Sequence, residues 1–462
     1  MSQSSHFIST RGQSPPAGFA EILLAGLAPD GGLYLPAAWP QIDLAAIKGA
    51  PYVEAAYAIL SQFAGASFSE AELRQDIAAA YSDFDAPDIA PLVEIGKDEY
   101  LLELFHGPTL AFKDIAMQIL GRLFARALAQ RGGRATIVAA TSGDTGSAAI
   151  AALGGLPNID VFVIHPKGRV SDVQRRQMTT AAHANVHNIA LEGTFDKAQG
   201  LVKDLFAQSD FARQIGLTAV NSINFARIAA QSVYYFTATA KLGRPARFVV
   251  PTGNFGDIFA GEAAVRMGLS IENLVIATNA NDIMARALND GVYASGAAQP
   301  TLSPSMDIQV ASNFERALFE ASNRDADWTR AAMAMFAKDR KLTLPPGILS
   351  SLRARYSAAA SSDAQTLAAI KAIHAETGRI IDPHTAVGVA VGRAMPRRSD
   401  APTVILSTAH PAKFPDAVAR AIGHPPPQPP RLQGLEKLPE RMATIPAKLS
   451  LIQDFISSRL TP

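Results

Sequence analysis

From Tyr100 onward, short apolar runs alternate with longer stretches in which apolar residues return every three or four positions. ATIVAA leads into SGDTGSAAIAALGGL, VFVIH into PKGRVSDVQRRQM, and RFVVP into TGNFGDIFAGEAAVRMG. NLVIAT follows, with a helical stretch around NDIMARAL. Short apolar runs bounded by turn residues predict buried strands, and the periodic stretches predict amphipathic helices. Their alternation predicts an α/β protein with parallel sheets. Late in the chain, PTVILSTAH predicts another buried strand with a loop at its carboxyl end, where open α/β sheets gather ligands. The first ninety or so residues differ. VEAAYAILSQFAGA and similar alanine-rich stretches predict helices, loops are expected at STRGQSPPAG and APDGGLYLP, and FDAPDIAPLVEIGKDEY reads as a junction.

Length and composition narrow the classes. At 462 residues the chain exceeds one ordinary core and suits two or three domains. A hydrophobic fraction of 48% and a charged fraction of 18% suit a globular protein. The 42 basic and 41 acidic residues nearly cancel, so charge makes no case for nucleic acid or an anionic membrane as partner. There is no cysteine, which excludes disulfides, thiolate metal sites and cysteine nucleophiles. MSQSSHFIST lacks the basic start and apolar core of a signal peptide, and the apolar runs are too short for a bilayer. The cytoplasm is the expected compartment. HPPPQPP, residues 424–430, reads as a stiff connector to a short C-terminal segment.

Four segments could carry chemistry. VVPTGNFGD, residues 249–257, reads as strand, glycine turn and helix start, where backbone N–H groups from Gly253 to Gly256 can converge on an anion. A plain βα turn capped by Asp257 is the alternative. AATSGDTGSAA, residues 139–149, repeats the design. Its hydroxyls at Ser142, Thr145 and Ser147 and the amides of Gly143 and Gly146 suit a carboxylate or phosphate, with an N-cap at Ser142 or Asp144 as the alternative. Neither is a Walker loop or a G-x-G-x-x-G fingerprint. In LFHGPTLAFKDIAMQIL, Lys113 stands among apolar residues, which would lower its amine pKa and favour imine chemistry; a helix-start lysine reaching solvent is the alternative. LSTAHPAKF places Ser407, Thr408 and His410 at a strand end, either as hydrogen-bonding groups for a ligand or as turn formers before Pro411. No metal-ligand spacing and no G-x-S-x-G elbow is present.

Taken in order, STRG, GLAPDGGLYLP, FHGPTLAFKD, ATSGDTGSAA, GRVSDVQRRQM, NSINFARIAAQSVYY, PTGNFGD, PSMDIQVASNFER, DPHTAVG and STAHPAKF resemble the threonine synthase family, of the longer bacterial and fungal type. The resemblance runs from about Ser9 to Phe414. It implies pyridoxal-phosphate fold type II, the tryptophan synthase β-like architecture, with two α/β sheet domains and the cofactor in their cleft. The implied division is a mostly helical segment over 1–95, a large domain over 96–119 and 220–420, a small domain over 120–219, and a connector and C-terminal segment over 421–462.

By the same resemblance Lys113 holds pyridoxal 5'-phosphate through an imine and is the catalytic base. Gly253, Asn254, Phe255, Gly256 and Asp257 form the cofactor-phosphate cradle, and Thr408 bonds the pyridine nitrogen. Ser142, Gly143, Asp144, Thr145 and Gly146 grip the substrate amino acid. Arg169, Ser171, Asn221, Ser222, Asn224 and Arg227 are implied substrate contacts, and Arg169, Arg175, Arg176 and Arg227 are the pool for its phosphate. The implied reaction converts O-phospho-L-homoserine and water to L-threonine and phosphate, in a monomer or homodimer. A phospho-lyase releasing 2-oxobutyrate, a threonine dehydratase and a cysteine-synthase-like enzyme share the scaffold. A phosphate-binding module such as a kinase is the reading from another class, and it leaves Lys113 without a use.

Overall fold

The computed structural model describes residues 6–218 and 220–460. Two sheets organise it. The larger has six strands in the order Tyr356–Ala360, Asn273–Thr278, Arg247–Pro251, Thr403–Ser407, Glu99–Glu103 and Leu92–Gly96. All neighbours are parallel except the last pair. The smaller has five parallel strands, Ala443–Pro446, Val186–Glu192, Ile159–Pro166, Ala135–Ala140 and Leu217–Thr218. Central strands such as Ile159–Pro166 and Asn273–Thr278 are buried at every position, as parallel sheets covered on both faces require.

Three features depart from the pattern expected of the sequence. The junction around Leu92 is an antiparallel strand pair, Leu92–Gly96 and Glu99–Glu103, with Asp98 at φ 54° in the tight turn. The pair includes the sheet's edge strand, whose half-exposed positions lack a continuous apolar run. The loops near the N-terminus contribute a two-stranded sheet, Phe7–Ser9 with Tyr34–Pro36, too short for a periodic signal. The segment after the proline-rich connector adds a strand to the small sheet and a helix, Leu449–Arg459, whose Ile452 and Ile456 share an apolar cluster with Leu201 and Leu205.

The N-terminal segment packs on the helix Phe225–Leu242. Phe7, Phe63 and Phe225 meet with ring centroids 5.1–6.4 Å apart, each burial worth about 1.5–3 kcal/mol. Thr10 and Arg11 of STRG bond Glu315 at 2.7–3.0 Å, and Asn224 donates to the Leu23 carbonyl at 2.8 Å. These contacts fix the start of the helix that bears Arg227.

Candidate active site

Lys113 is the first residue of the helix Lys113–Arg131. The turn before it is closed by Asp114, whose buried carboxylate accepts from the Thr109 amide at 2.8 Å and the Thr109 hydroxyl at 2.7 Å. Leu110 in this turn has φ 60°, a strained conformation for leucine. The turn is stitched to the end of the strand Thr403–Ser407. Phe112 N–H donates to Thr408 O at 2.8 Å, and His410 N–H to Leu110 O at 3.0 Å. Lys113 and Thr408 therefore share one rigid corner at the carboxyl edge of the large sheet. Among the described residues the Thr408 hydroxyl has no protein partner, and the residue is buried.

Opposite this corner stands Asp144, which opens the helix Asp144–Leu153 beside the small sheet. Its carboxylate crosses to the large-sheet side. Lys413 Nζ lies 2.7 Å from Oδ1, and Lys113 Nζ lies 3.4 Å from Oδ2. Gln174 Nε2 donates to Oδ1 at 2.8 Å and Ser305 Oγ to Oδ2 at 3.2 Å. Burial alone would raise this carboxyl, but Lys413, Lys113 and His384 outweigh it and hold it well below the usual range. Burial lowers the Lys113 ammonium; Asp144 opposes this, and Lys413 and Arg227 reinforce it. Lys413 is a site residue that sequence reasoning missed, because a lysine after a Pro-Ala turn reads as a surface group. It is wholly buried and also donates to Thr109 O at 2.8 Å.

In the loop before Asp144, two of the expected donors have a partner within the chain. The amides of Gly143 and Gly146, expected among the ligand donors, both donate to Thr141 Oγ1 at 2.9 Å. Thr141, not Ser142 or Asp144, satisfies the helix start, because the strand end points its hydroxyl into the turn. The Asp144 and Thr145 amides at the helix N-terminus remain without an intrahelical acceptor. Gly143 has φ 136°, and a Cβ there would lie 2.4 Å from the Gln174 side chain, so any other residue would be strained and would displace Gln174.

GNFGD forms the start of the helix Gly256–Arg266. Its N-cap is Phe255 at φ 64°, not Asp257, with the ring packed between Phe314 and Tyr356. Phe259 N–H bonds back to Phe255 O, so the amides of Gly256, Asp257 and Ile258 lack intrahelical acceptors. A Cβ on Gly253 would lie 2.9 Å from the Ser305 carbonyl, so the turn and the Ser305 segment approach closely. The Asp257 carboxyl accepts from Tyr234 and, at 3.3 Å, from Tyr235, while its Oδ2 is buried without a partner. Burial pushes it up to about 7, against opposition from those tyrosines, Lys113 and Arg227.

Arg227 is 2% exposed, and its Nε and Nη1 have no partner. Burial pulls the guanidinium down to about 10, with Tyr234 and Asp257 opposing. The other arginines are placed differently. Arg175 is bound to Glu440 and Asp172, Arg176 to the carbonyls of Leu435 and Glu436, and Arg169 is exposed. Ser222 Oγ accepts from Asn254 Nδ2 at 3.2 Å, joining two of the expected segments. Asn221 is exposed and accepts from Ile223 N–H. Asn224 caps its helix, accepting from Ala226 N–H and donating to Leu23 O. Ser171 caps the helix Asp172–Thr179 and donates to Lys413 O at 3.3 Å.

Family models match three consecutive parts of the chain. "Threonine synthase N terminus" covers residues 6–81, "Pyridoxal-phosphate dependent enzyme" 87–350, and "Threonine synthase, C-terminal" 385–456. Threonine synthase of Pseudomonas aeruginosa is 47% identical over 458 residues, covering 98% of each chain. The chain belongs to the threonine synthase family. Two solved structures from this family superpose along nearly the whole length. Pyridoxal-phosphate-bound threonine synthase from Brucella melitensis gives a TM-score of 0.95 at 48% identity, covering 99% of both chains. The yeast threonine synthase structure gives 0.93 at 37%, again covering 99% of both. The fold is accordingly pyridoxal-phosphate fold type II.

The donor set fits the cofactor of this family. A phosphate needs converging N–H groups, which the free amides at Gly256 and Asp257 offer. An aldehyde needs a lysine with a depressed pKa, and Lys113 has one. A pyridine nitrogen needs a donor, and the Thr408 hydroxyl is free. No helix among the described residues is long and apolar enough to cross a membrane.

Proposed function

We propose that this chain is a threonine synthase, converting O-phospho-L-homoserine and water to L-threonine and phosphate with pyridoxal 5'-phosphate. The observation that carries the assignment is Arg227, a buried guanidinium with two unpartnered nitrogens in the same site as Lys113. A buried cation without a partner is costly unless a ligand anion completes it. The glycine turn at 253–257 serves one anion, the cofactor phosphate. Arg227 serves a second, the substrate phosphate.

When bound, the cofactor supplies the electron sink for charge developing on the substrate. The chain supplies position and proton transfer. Lys113 would hold the cofactor covalently, and its Nζ, once freed, would take the proton from substrate Cα, pass it on, and then take the one from Cβ. Phosphate departs from Cγ toward Arg227, whose bidentate fork suits the leaving dianion. Water adds at Cβ. Thr408, a hydroxyl, donates to the ring nitrogen without protonating it. The free amides at Asp144 and Thr145, with Ser142, receive the substrate carboxylate.

We place the two sheets as the walls of a cleft that substrate closes, with Asp144 reaching across it. All the groups named lie on one chain, consistent with a monomer or homodimer acting on a small molecule without nucleic acid. A phosphorylated, charged amino acid as substrate suits an enzyme of the cytoplasm. The test is product identification from O-phospho-L-homoserine with cofactor present. L-threonine and phosphate should appear in equal amounts. 2-Oxobutyrate as the main product would make the chain a phospho-lyase.

A further inference from the structure

Asp144 is shared by two lysines, and the sharing is unequal. Lys413 takes Oδ1 at 2.7 Å, and Lys113 reaches Oδ2 only at 3.4 Å. Gln174 and Ser305 fill the remaining acceptor positions. Lys413 is anchored from its own side by Thr109 O at 2.8 Å, a carbonyl of the turn that presents Lys113. One lysine is thus a fixed partner of the carboxylate, and the other is held loosely.

The charges around Lys113 come from five elements. Asp144 lies at the start of its helix, Lys413 on the turn after the strand Thr403–Ser407, and Arg227 and Asp257 on two further helices. Asp114, on Lys113's own helix, is bound to Thr109. Behind Asp144, His384 Nε2 lies 3.2 Å from the Ser305 amide nitrogen, which donates to it, and Nδ1 lies 2.7 Å from Asp382 Oδ2. Three cations face three carboxyls, of which Asp114 is bound to Thr109 and Asp257 to tyrosine hydroxyls, leaving Asp144 as the one paired with lysine. Lys113 is the cation with a route to water, its side chain being 12% exposed against 0% for Lys413.

Resting on the assignment of Lys113 as the cofactor lysine, we propose that Lys413 is a positioning residue for it. Lys413 occupies Asp144 and adds a second cation beside it, so that Lys113 sheds its proton to water and keeps its amine free to attack a carbonyl. A lysine made nucleophilic by a neighbouring cation is established chemistry. Here the neighbour also takes away the carboxylate that would otherwise retain the proton.

Competitive labelling of the full-length chain with acetic anhydride across pH, after removal of cofactor, reads the Lys113 midpoint by peptide mass. Lys413→Met should raise that midpoint by about 1 pH unit. In the cofactor-loaded protein, the pH midpoint of the visible absorbance should move the same way. An unchanged Lys113 midpoint in folded Lys413→Met overturns the proposal. Should that variant not fold, Asp144→Asn is compared with Asp144→Asn/Lys413→Gln, whose side chains are neutral. The double variant must titrate higher, and equal midpoints overturn the proposal. Labelling needs no substrate, so it stays readable whatever product the enzyme makes.

Discussion

Phe112 N–H donates a 2.8 Å hydrogen bond to the Thr408 carbonyl, which joins the residue before Lys113 to a free hydroxyl at the end of a central strand. The bond uses only backbone atoms, so the Thr408 side chain can be changed without losing it. Thr408→Val keeps the shape and removes the donor. We expect the variant to keep its fold and cofactor and to lose about 10-fold in kcat, on the order of one neutral hydrogen bond. Steady-state kinetics with a visible spectrum check this; unchanged kcat would remove Thr408 from the site.

Arg227 sets stability against function. Its guanidinium is buried with two nitrogens unpaired, so the substrate-free protein bears the desolvation cost. Arg227→Met should raise the melting temperature of the substrate-free protein and lower kcat/KM by about 100-fold or more, as expected when a buried charge contact is removed. Calorimetry and kinetics on one sample read both. A lower melting temperature would mean that Arg227 supports the fold.

Asp257 gives a pH dependence with a definite sign. Its folded pKa, about 7, lies above the ordinary value of about 3.9 for an unfolded aspartate. Between these values the folded chain holds a proton that the unfolded chain has released. Its stabilising contribution is therefore complete in acid and is lost as pH rises through 7. Asp144 has the opposite sign, since its folded pKa is depressed and its contribution is lost as pH falls. Relative to Asp257→Asn, the wild type should lose stability from about pH 4 to about pH 7 in denaturant titrations. A flat difference would remove Asp257 as a titrating group.

Gly143 tests the substrate loop. With φ 136° and a Cβ position 2.4 Å from Gln174, Gly143→Ala combines backbone strain with a clash against a residue that holds Asp144. A loss of about 1–3 kcal/mol is expected, with activity falling further than stability alone explains, because Gln174 must move. Thermal melts with kinetics separate the two.

Much of this site is legible in the chain because its segments are local. GNFGD and SGDTG each join a strand to a helix through glycines, and Lys113 stands alone in an apolar run. What escaped is what depends on partners remote in sequence. Lys413 resembles a surface lysine until the fold sets Asp144 against it. Thr141 reads as the last residue of a strand, yet its hydroxyl takes the two glycine amides. The edge strand Leu92–Gly96 and the C-terminal strand Ala443–Pro446 have too few buried positions to show a pattern. Each exists because a sheet edge was there to receive it.

Two lysines face Asp144, and the proposed chemistry gives the cofactor to Lys113. Borohydride reduction of the cofactor-loaded protein, followed by peptide mapping, reads that assignment directly. The label should fall on the peptide containing Lys113 and vanish in Lys113→Ala, together with threonine formation. A label on Lys413, or undiminished threonine formation by Lys113→Ala, would contradict the account.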